Sequence, residues 1–120
     1  MSIQFLSEYD PKLAHGIFSI LRELGIENWE VELSVWCGSR TELTARGGGW
    51  YVVAAETRSM SGKVLGLCTQ MPDSENGFLI HILESDNGLT LRHELRHAWQ
   101  ALRGFGQSEI DAESFARRIK

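Results

Sequence analysis

The residues with the clearest capacity for chemistry are consecutive. They form an HExxH motif, His93-Glu94-Leu95-Arg96-His97. On a helix, the two histidines would lie one turn apart on one face, so their imidazoles can hold a single metal ion without distorting the backbone. Glu94 would lie about 100° away around the helix axis. It is poorly placed to bind the same ion, but it can reach a water held there, as a general base must. The motif therefore predicts a metal site with its own base.

The residues around the motif have the period of a helix that runs from Leu89 to Leu102 and stops at Gly104. One face is apolar and is predicted to pack on the core; it consists of Leu91, Leu95, Ala98 and Leu102. A second face, which we expect to be solvated, consists of Arg92, Arg96 and Arg103. The two histidines occupy a third face, so core, solvent and metal are predicted to be separated around one helix.

Two histidines do not complete a catalytic zinc site, which normally has three protein ligands and a water. No histidine follows His97, and Arg103 occupies the position where the pattern HExxHxxGxxH has its third histidine. We therefore expect a carboxylate as the third ligand. The carboxylates that follow the motif are Glu109, Asp111 and Glu113.

All three carboxylates fall in a last helix that begins at Ser108, whose hydroxyl can cap it while Asp111 completes a capping box. Glu109 and Glu113 are one turn apart on the margin of the apolar stripe that must face inward, whereas Asp111 lies on the opposite margin. Helical geometry therefore favours the glutamate pair as the source of the ligand and does not choose between its two members.

The motif and the helix that follows it resemble a known family. HELRH, a short loop and a helix of the pattern E-x-x-A-E-x-F-A are similar to the glutamate zincins, or gluzincins. The likeness is greatest to the small ImmA/IrrE-type peptidases and to the minimal chains called minigluzincins. It extends from Leu89 to Lys120.

This resemblance implies that His93, His97 and Glu109 bind Zn²⁺. It also implies that Glu94 is the general base and that Glu113 supports a ligand histidine, since carboxylates behind metal-bound histidines fix the orientation of the ring. The implied activity is that of a zinc-dependent metallopeptidase, which hydrolyses peptide bonds in a peptide or protein substrate.

The elements that must position these residues can be predicted from periodicity and turn residues. A first helix is predicted from Asp10 to Leu24, with Asp10 as its cap and Gly25 as its stop. Strands are predicted over four segments: Trp29 to Trp36, Trp50 to Thr57, Lys63 to Gln70 and Gly77 to Ser85. With the two C-terminal helices, this order predicts a minimal zincin-like α+β fold with a three- or four-stranded mixed or antiparallel sheet, in a single domain over residues 1–120.

The strand before the metal helix has a particular role in the family. In zincins it is an edge strand that holds extended substrate by main-chain pairing, and Phe78 to Glu84 is placed to do so here. The alternative is that Phe78 to Glu84 is an ordinary buried strand. His81 lies within this segment. We interpret it as a partly buried, hydrogen-bonded histidine, with a polar group that reaches the cleft as the alternative.

Composition limits the classes of partner. The 120 residues carry 12 Lys+Arg against 16 Asp+Glu, a net charge of −4, which argues against a general nucleic-acid binder. No segment approaches the roughly 20 apolar residues that span a bilayer, and the first residues lack the features of a signal peptide. Cys37 and Cys68 have no CxxC spacing and are expected to be reduced thiols. We therefore expect a soluble, cytoplasmic protein that does not bind membranes.

Two other functions are compatible with the same residues. The scaffold could be a binding or inhibitor protein that acts on a phage or host regulatory protein, with its metal structural or absent. It could also be a metal-dependent amidase for a non-peptide substrate. Glu94 between the two histidines favours catalysis, because a pure binder has no need of it.

Overall fold

Five strands and three helices are present in the part of the chain that the computed structural model describes, residues 1–38, 53–58, 64–71, 76–83 and 88–118. The strands are β1 (Ser2–Phe5), β2 (Glu32–Gly38), β3 (Val53–Arg58), β4 (Val64–Gln70) and β5 (Gly77–Leu83). The helices are α1 (Pro11–Leu24), α2 (Leu89–Leu102) and α3 (Glu109–Arg117). Parts of three predicted strands, residues 50–52, 63 and 84–85, lie outside the described residues.

The five strands form one mixed sheet in the order β1-β2-β5-β4-β3. β1, β2 and β5 are parallel neighbours, and β4 and β3 continue the sheet in antiparallel pairing. The predicted α+β class is confirmed, and each of the four predicted strands is present. β1 adds a fifth strand that the sequence did not predict, and α1 connects it to β2 in a parallel strand-helix-strand unit.

β5 lies inside the sheet and not at its edge. It pairs with β2 on one side and with β4 on the other, so that Ile80 is aligned with both Val35 and Cys68. Of the two alternatives for this strand, the substrate-pairing edge strand is therefore wrong, because the main-chain groups of β5 already bond two neighbours. The ordinary buried strand is confirmed over the described residues of β5, all of which are buried. Glu84 itself lies outside the described residues. The edges of the described sheet are β1 and β3.

α1 forms and ends as the sequence predicts. The Asp10 side chain accepts a hydrogen bond from the Lys12 N–H at 2.9 Å, and Pro11 occupies the first turn. The helix ends at Gly25, whose φ of 75° is left-handed. Because glycine lacks a Cβ, it adopts this conformation at little cost.

One face of the sheet packs against α1 and α2. In β2 and just before it, Val31, Leu33 and Val35 are all buried in this core. The helical residues buried in the same core are Ile17, Ile20, Leu21, Leu24, Leu91, Leu95 and Ala98. The apolar face predicted for α2 is thus packed on the sheet, and this contact fixes the direction of its other faces.

The arginine face predicted for α2 is only partly solvated. Arg103 is exposed, but Arg92 is buried. The Arg92 guanidinium donates to Glu23 of α1 at 2.7 Å and to the Phe115 carbonyl of α3 at 2.9 Å. Arg96 is also turned toward α3, where it bonds Asp111. The expectation of a solvated face is wrong for these two residues, because periodicity identifies a face and not the elements that cover it.

Two smaller expectations concern the membrane and the thiols. No helix in the described ranges has the length and apolarity needed to cross a bilayer. Cys37 in β2 and Cys68 in β4 are both free, as predicted.

Candidate metal centre

α2 holds the two histidines of the motif side by side. His93 and His97 lie one turn apart, both are buried, and their ring centroids are 4.9 Å apart. The spacing of the HExxH motif on a helix therefore produces the adjacent imidazoles that the sequence analysis predicted.

α3 brings Glu109 to both imidazoles. Glu109 Oε2 lies 2.9 Å from Nε2 of His93, and Oε1 lies 2.9 Å from Nε2 of His97. The second contact is within ion-pair distance but lacks the angles of a hydrogen bond. One carboxylate thus faces both rings at the same type of nitrogen, while the Glu109 side chain stays 61% exposed.

His93, His97 and Glu109 could hold a metal ion. One ligand atom from each residue lies within 4.8 Å of the others. In a tetrahedral site with bonds of about 2.0–2.1 Å, the ligand atoms are roughly 3.3 Å apart. The contacts of 2.9 Å would therefore need to open by about 0.4 Å to admit an ion. The donor atoms are of types that bind zinc, and these two nitrogen–oxygen distances fit a metal after this small adjustment.

The three carboxylates that the sequence left open have three different environments. Glu109 faces Nε2 of both histidines, whereas Glu113 Oε2 lies 3.0 Å from Nδ1 of His93. Asp111 accepts two hydrogen bonds from Arg96, at 2.7 and 3.0 Å. These bonds lower the pKa of Asp111 to about 2. Glu109 is thus the carboxylate grouped with the histidines, and Glu113 stands behind one of them.

His93 has a carboxylate at each ring nitrogen, Glu109 at Nε2 and Glu113 at Nδ1. Glu113 also accepts a hydrogen bond from Arg117 Nε at 2.6 Å, and the Arg117 side chain is 71% exposed. The support behind His93 is therefore ionic and lies at the surface.

The second ring nitrogen of His97 has an amide partner. Nδ1 of His97 lies 3.0 Å from Oε1 of Gln100. The same oxygen accepts a hydrogen bond from the Ser108 N–H at 3.1 Å. The Gln100 amide nitrogen donates to the Ser108 carbonyl at 3.0 Å and to Asp111 Oδ2 at 2.8 Å. Gln100 was not among the predicted site residues, although its position three residues after His97 places the two side chains on one side of the helix.

The cap of α3 differs in part from the prediction. Ser108 Oγ accepts a hydrogen bond from the Asp111 N–H at 3.1 Å, as expected of a cap. The predicted return bond of a capping box is replaced, because the Ser108 N–H donates to Gln100 and the Asp111 carboxylate bonds Arg96 and Gln100. The capping-box prediction is therefore wrong in its second half, since partners from α2 take both groups.

Glu94 is completely buried where α2 approaches β4. Gly66 of β4 allows this approach, because a Cβ at that position would lie 3.2 Å from Cγ of Glu94 and 2.5 Å from Cγ2 of Thr90. Burial raises the pKa of the nearby Cys68 thiol, and the Glu94 charge raises it further. The sequence analysis identified Glu94 but not the glycine that makes room for it.

Two other features lie apart from the cluster. His81 is buried in β5 with its ring in edge contact with Trp36, in agreement with a buried histidine and not with a group that reaches a cleft. A cavity of about 840 Å³ lies between α1 and the ends of β2 and β5. Its lining includes Arg92 but none of the cluster residues. The cavity therefore adds no group to the cluster.

Comparison with protein-family models, curated proteins and solved structures finds no match for the chain. The resemblance to the gluzincins therefore rests only on the HExxH motif and on the pattern of the glutamate helix that follows it.

Proposed function

We propose that the chain is a zinc-dependent metallopeptidase whose metal is held by His93, His97 and Glu109. The observation that carries the proposal is the convergence of both HExxH imidazoles on one carboxylate from a separate helix. Two imidazole nitrogens, one carboxylate oxygen and an open fourth position form a ligand set of catalytic zinc sites. Magnesium and calcium prefer oxygen ligands, so the donor set favours zinc over them.

A zinc ion bound there would polarise a scissile carbonyl and lower the pKa of a water toward neutrality. The chain itself supplies the proton transfer. Glu94 accepts a proton from the attacking water and then returns it to the nitrogen of the leaving amine. Glu94 is completely buried, so as the base it would act on a water held at the metal and not on bulk solvent.

An extended peptide is the form of substrate that suits the sheet. β3 pairs with β4 on one side, forms an edge of the described sheet and contacts α2. As part of the proposal, we assign substrate main-chain pairing to β3, by addition of a strand to this edge of the described sheet. We also propose a cytoplasmic location, because the free thiols of Cys37 and Cys68 suit a reducing compartment.

The test compares the wild-type protein with Glu94→Gln and Glu109→Ala, each purified without added metal. We expect stoichiometric zinc in wild type and in Glu94→Gln, and cleavage of a peptide library that falls by at least about 10²-fold in Glu94→Gln. Glu109→Ala is expected to lose zinc. The matched control is Glu30→Ala, which removes an exposed glutamate outside the site.

Each part of the proposal can fail separately. Cleavage by Glu94→Gln at the wild-type rate would contradict the role of Glu94 as the base. Equal zinc content in Glu109→Ala and Glu30→Ala would contradict the metal centre. Zinc in the wild-type protein without cleavage of any library peptide would favour the binding or inhibitor alternative.

A further inference from the structure

The side-chain amide of Gln100 contacts His97, Ser108 and Asp111, which places it at the centre of the hydrogen bonds around the site. Its side chain is 1% exposed, and both ends of the amide have partners. Oε1 faces the Ser108 N–H and Nδ1 of His97, while Nε2 donates to the Ser108 carbonyl and to Asp111. A buried amide with partners at each end is held in one orientation.

The orientation of this amide follows from groups whose roles cannot change. The Ser108 N–H can only donate, and the Ser108 carbonyl can only accept. If the amide were reversed, its oxygen would face the Ser108 carbonyl and the Asp111 carboxylate, and its nitrogen would face the Ser108 N–H. Both ends would then be mismatched inside the protein, which is costly. Oε1 of Gln100 is therefore the atom that faces His97.

The far end of the network is also fixed. Asp111 accepts two hydrogen bonds from Arg96, and the Arg96 guanidinium lies 3.8 Å from the centre of the Trp99 ring. Planar contacts of this kind hold an arginine in one position. The chain of contacts from Trp99 through Arg96, Asp111 and Gln100 to His97 leaves the amide little freedom.

We propose that Gln100 is a positioning residue that holds His97 in the tautomer with the proton on Nδ1. An amide oxygen accepts only, so Nδ1 of His97 must donate to it. A neutral imidazole has a single N–H, so its Nε2 then carries the lone pair that a metal needs. This inference rests on the proposed metal centre for its purpose. In the metal-free protein, a Glu109 oxygen also lies 2.9 Å from Nε2 of His97 and favours a proton there, so the effect of Gln100 on the tautomer has to be measured without that carboxylate.

Gln100 also connects the histidine helix to the carboxylate helix. Ser108, which it bonds through both main-chain groups, is the cap residue directly before Glu109. The same amide thus sets the ring of one metal ligand and anchors the first turn that carries another. A test has to separate these two effects, because loss of the anchor alone would also weaken zinc binding.

The tautomer can be read directly from the ¹⁵N shifts of the His97 ring in metal-free Glu109→Ala, in which this carboxylate no longer faces Nε2. We expect Nδ1–H in Glu109→Ala and a mixture of tautomers when Gln100→Leu is added to it. Zinc affinity, measured by chelator competition, should fall by about 10- to 100-fold in Gln100→Leu alone. Gln107→Leu is the matched control, since Gln107 contacts the main-chain carbonyl of His97 and not its ring.

A double variant tests whether the acceptor is what matters. In Gln100→Glu combined with Asp111→Asn, a carboxylate oxygen can accept from His97 and an amide can donate back to it. We expect this pair to restore Nδ1–H in Glu109→Ala, since a carboxylate is a usual partner of a metal-bound histidine. Zinc affinity of the pair should stay below wild type, because the second carboxylate oxygen has no proton to donate to the Ser108 carbonyl. A structural role alone would not restore the tautomer.

The measurement on Glu109→Ala is decisive even if the variant with Gln100→Leu does not fold. A His97 ring protonated on Nε2 in Glu109→Ala would overturn the role of Gln100 and leave the metal centre standing. An Nδ1–H ring that persists when Gln100→Leu is added would also overturn it. The expected tautomers together with a wild-type protein that binds no zinc would overturn the proposed function and leave the role of Gln100 intact.

Discussion

The two histidines of the cluster have the same burial but different support. Behind His93 stands Glu113, a carboxylate that is 42% exposed and paired with the exposed Arg117. Behind His97 stands the buried amide of Gln100, bonded to main-chain groups of Ser108. The His93 side of the site is thus supported by charged side chains at the surface, and the His97 side by a buried, uncharged amide.

The two histidines therefore illustrate two physical ways of fixing the position of a metal-binding side chain. A charge at the surface acts through a field that salt and side-chain motion weaken. A buried amide acts through directed hydrogen bonds that solvent does not reach, and breaking them leaves polar groups without partners. The His97 side should therefore be the more rigid half of the site and the His93 side the more adjustable half.

The largest expected effect comes from removal of either histidine. His97→Ala and His93→Ala should each lower zinc affinity by more than the roughly 100-fold that loss of an outer partner can cause. Only His97→Ala leaves the Gln100 oxygen without its ring donor, so it should also destabilise the metal-free protein by about 1 kcal/mol more than His93→Ala. Chelator competition and urea unfolding measure the two quantities. Equal stability of the two variants would show that the support differs in form and not in energy.

The next effect is on stability. Gln100→Leu should lower the free energy of unfolding of the metal-free protein by about 2–3 kcal/mol, because both Ser108 main-chain groups and the Asp111 carboxylate lose a buried partner. Glu113→Gln should change it by less than about 0.5 kcal/mol, since Glu113 is partly exposed. Urea midpoints at constant slope give both values. Similar losses in the two variants would contradict the division into a buried and a surface side.

A smaller effect should appear on zinc affinity and depend on salt. Glu113→Gln is expected to weaken zinc binding by about 10-fold at low ionic strength, because it removes a negative charge behind His93. In 1 M salt, where charges are screened beyond about 3 Å, most of this difference should disappear. The corresponding loss in Gln100→Leu should not change with salt. Titrations at both ionic strengths test the prediction, and a salt-independent effect at Glu113 would refute it.

The smallest effect concerns acid. Arg96 holds the pKa of Asp111 near 2, below its ordinary value of 3.8. The ionised carboxylate therefore stabilises the fold above about pH 4, and this contribution is lost as the pH falls toward 2. For a partly exposed pair, the contribution is about 1 kcal/mol after allowance for solvent screening. Between pH 5 and pH 2.5, the free energy of unfolding should fall less in Asp111→Asn than in wild type. An equal fall in both proteins would contradict a stabilising role of ionised Asp111.

Much of the candidate site could be predicted because its residues lie on two consecutive helices. Local periodicity placed His93 and His97 on one face, and the margin of the last helix narrowed the third position to Glu109 or Glu113. The resemblance to gluzincins distinguished between those two, and the structure groups Glu109 with the histidines. Nothing in this reasoning required knowledge of the sheet.

The missed features depend on contacts between elements. β1 has only four residues, so its alternation of polar and apolar side chains is too short to predict a strand. The inner position of β5 depends on its pairing with β2, which comes from a distant part of the chain. Gln100 looks like an ordinary polar residue in the sequence. Its role depends on contacts with Ser108, the cap of the next helix, and with Asp111 in that helix. Local sequence patterns specify faces and ends of elements, but not which elements meet there.

The inner position of β5 has a consequence for how fast parts of the site can open. α2 follows directly on a strand that is bonded on both sides, and its apolar face lies in the core. Amide hydrogens of such a region exchange with solvent only when the whole domain unfolds. Glu109, by contrast, lies in the exposed first turn of a nine-residue helix. Hydrogen exchange should therefore be slowest around the histidines and faster around Glu109, so that the imidazole pair lies in the part of the site that opens least often.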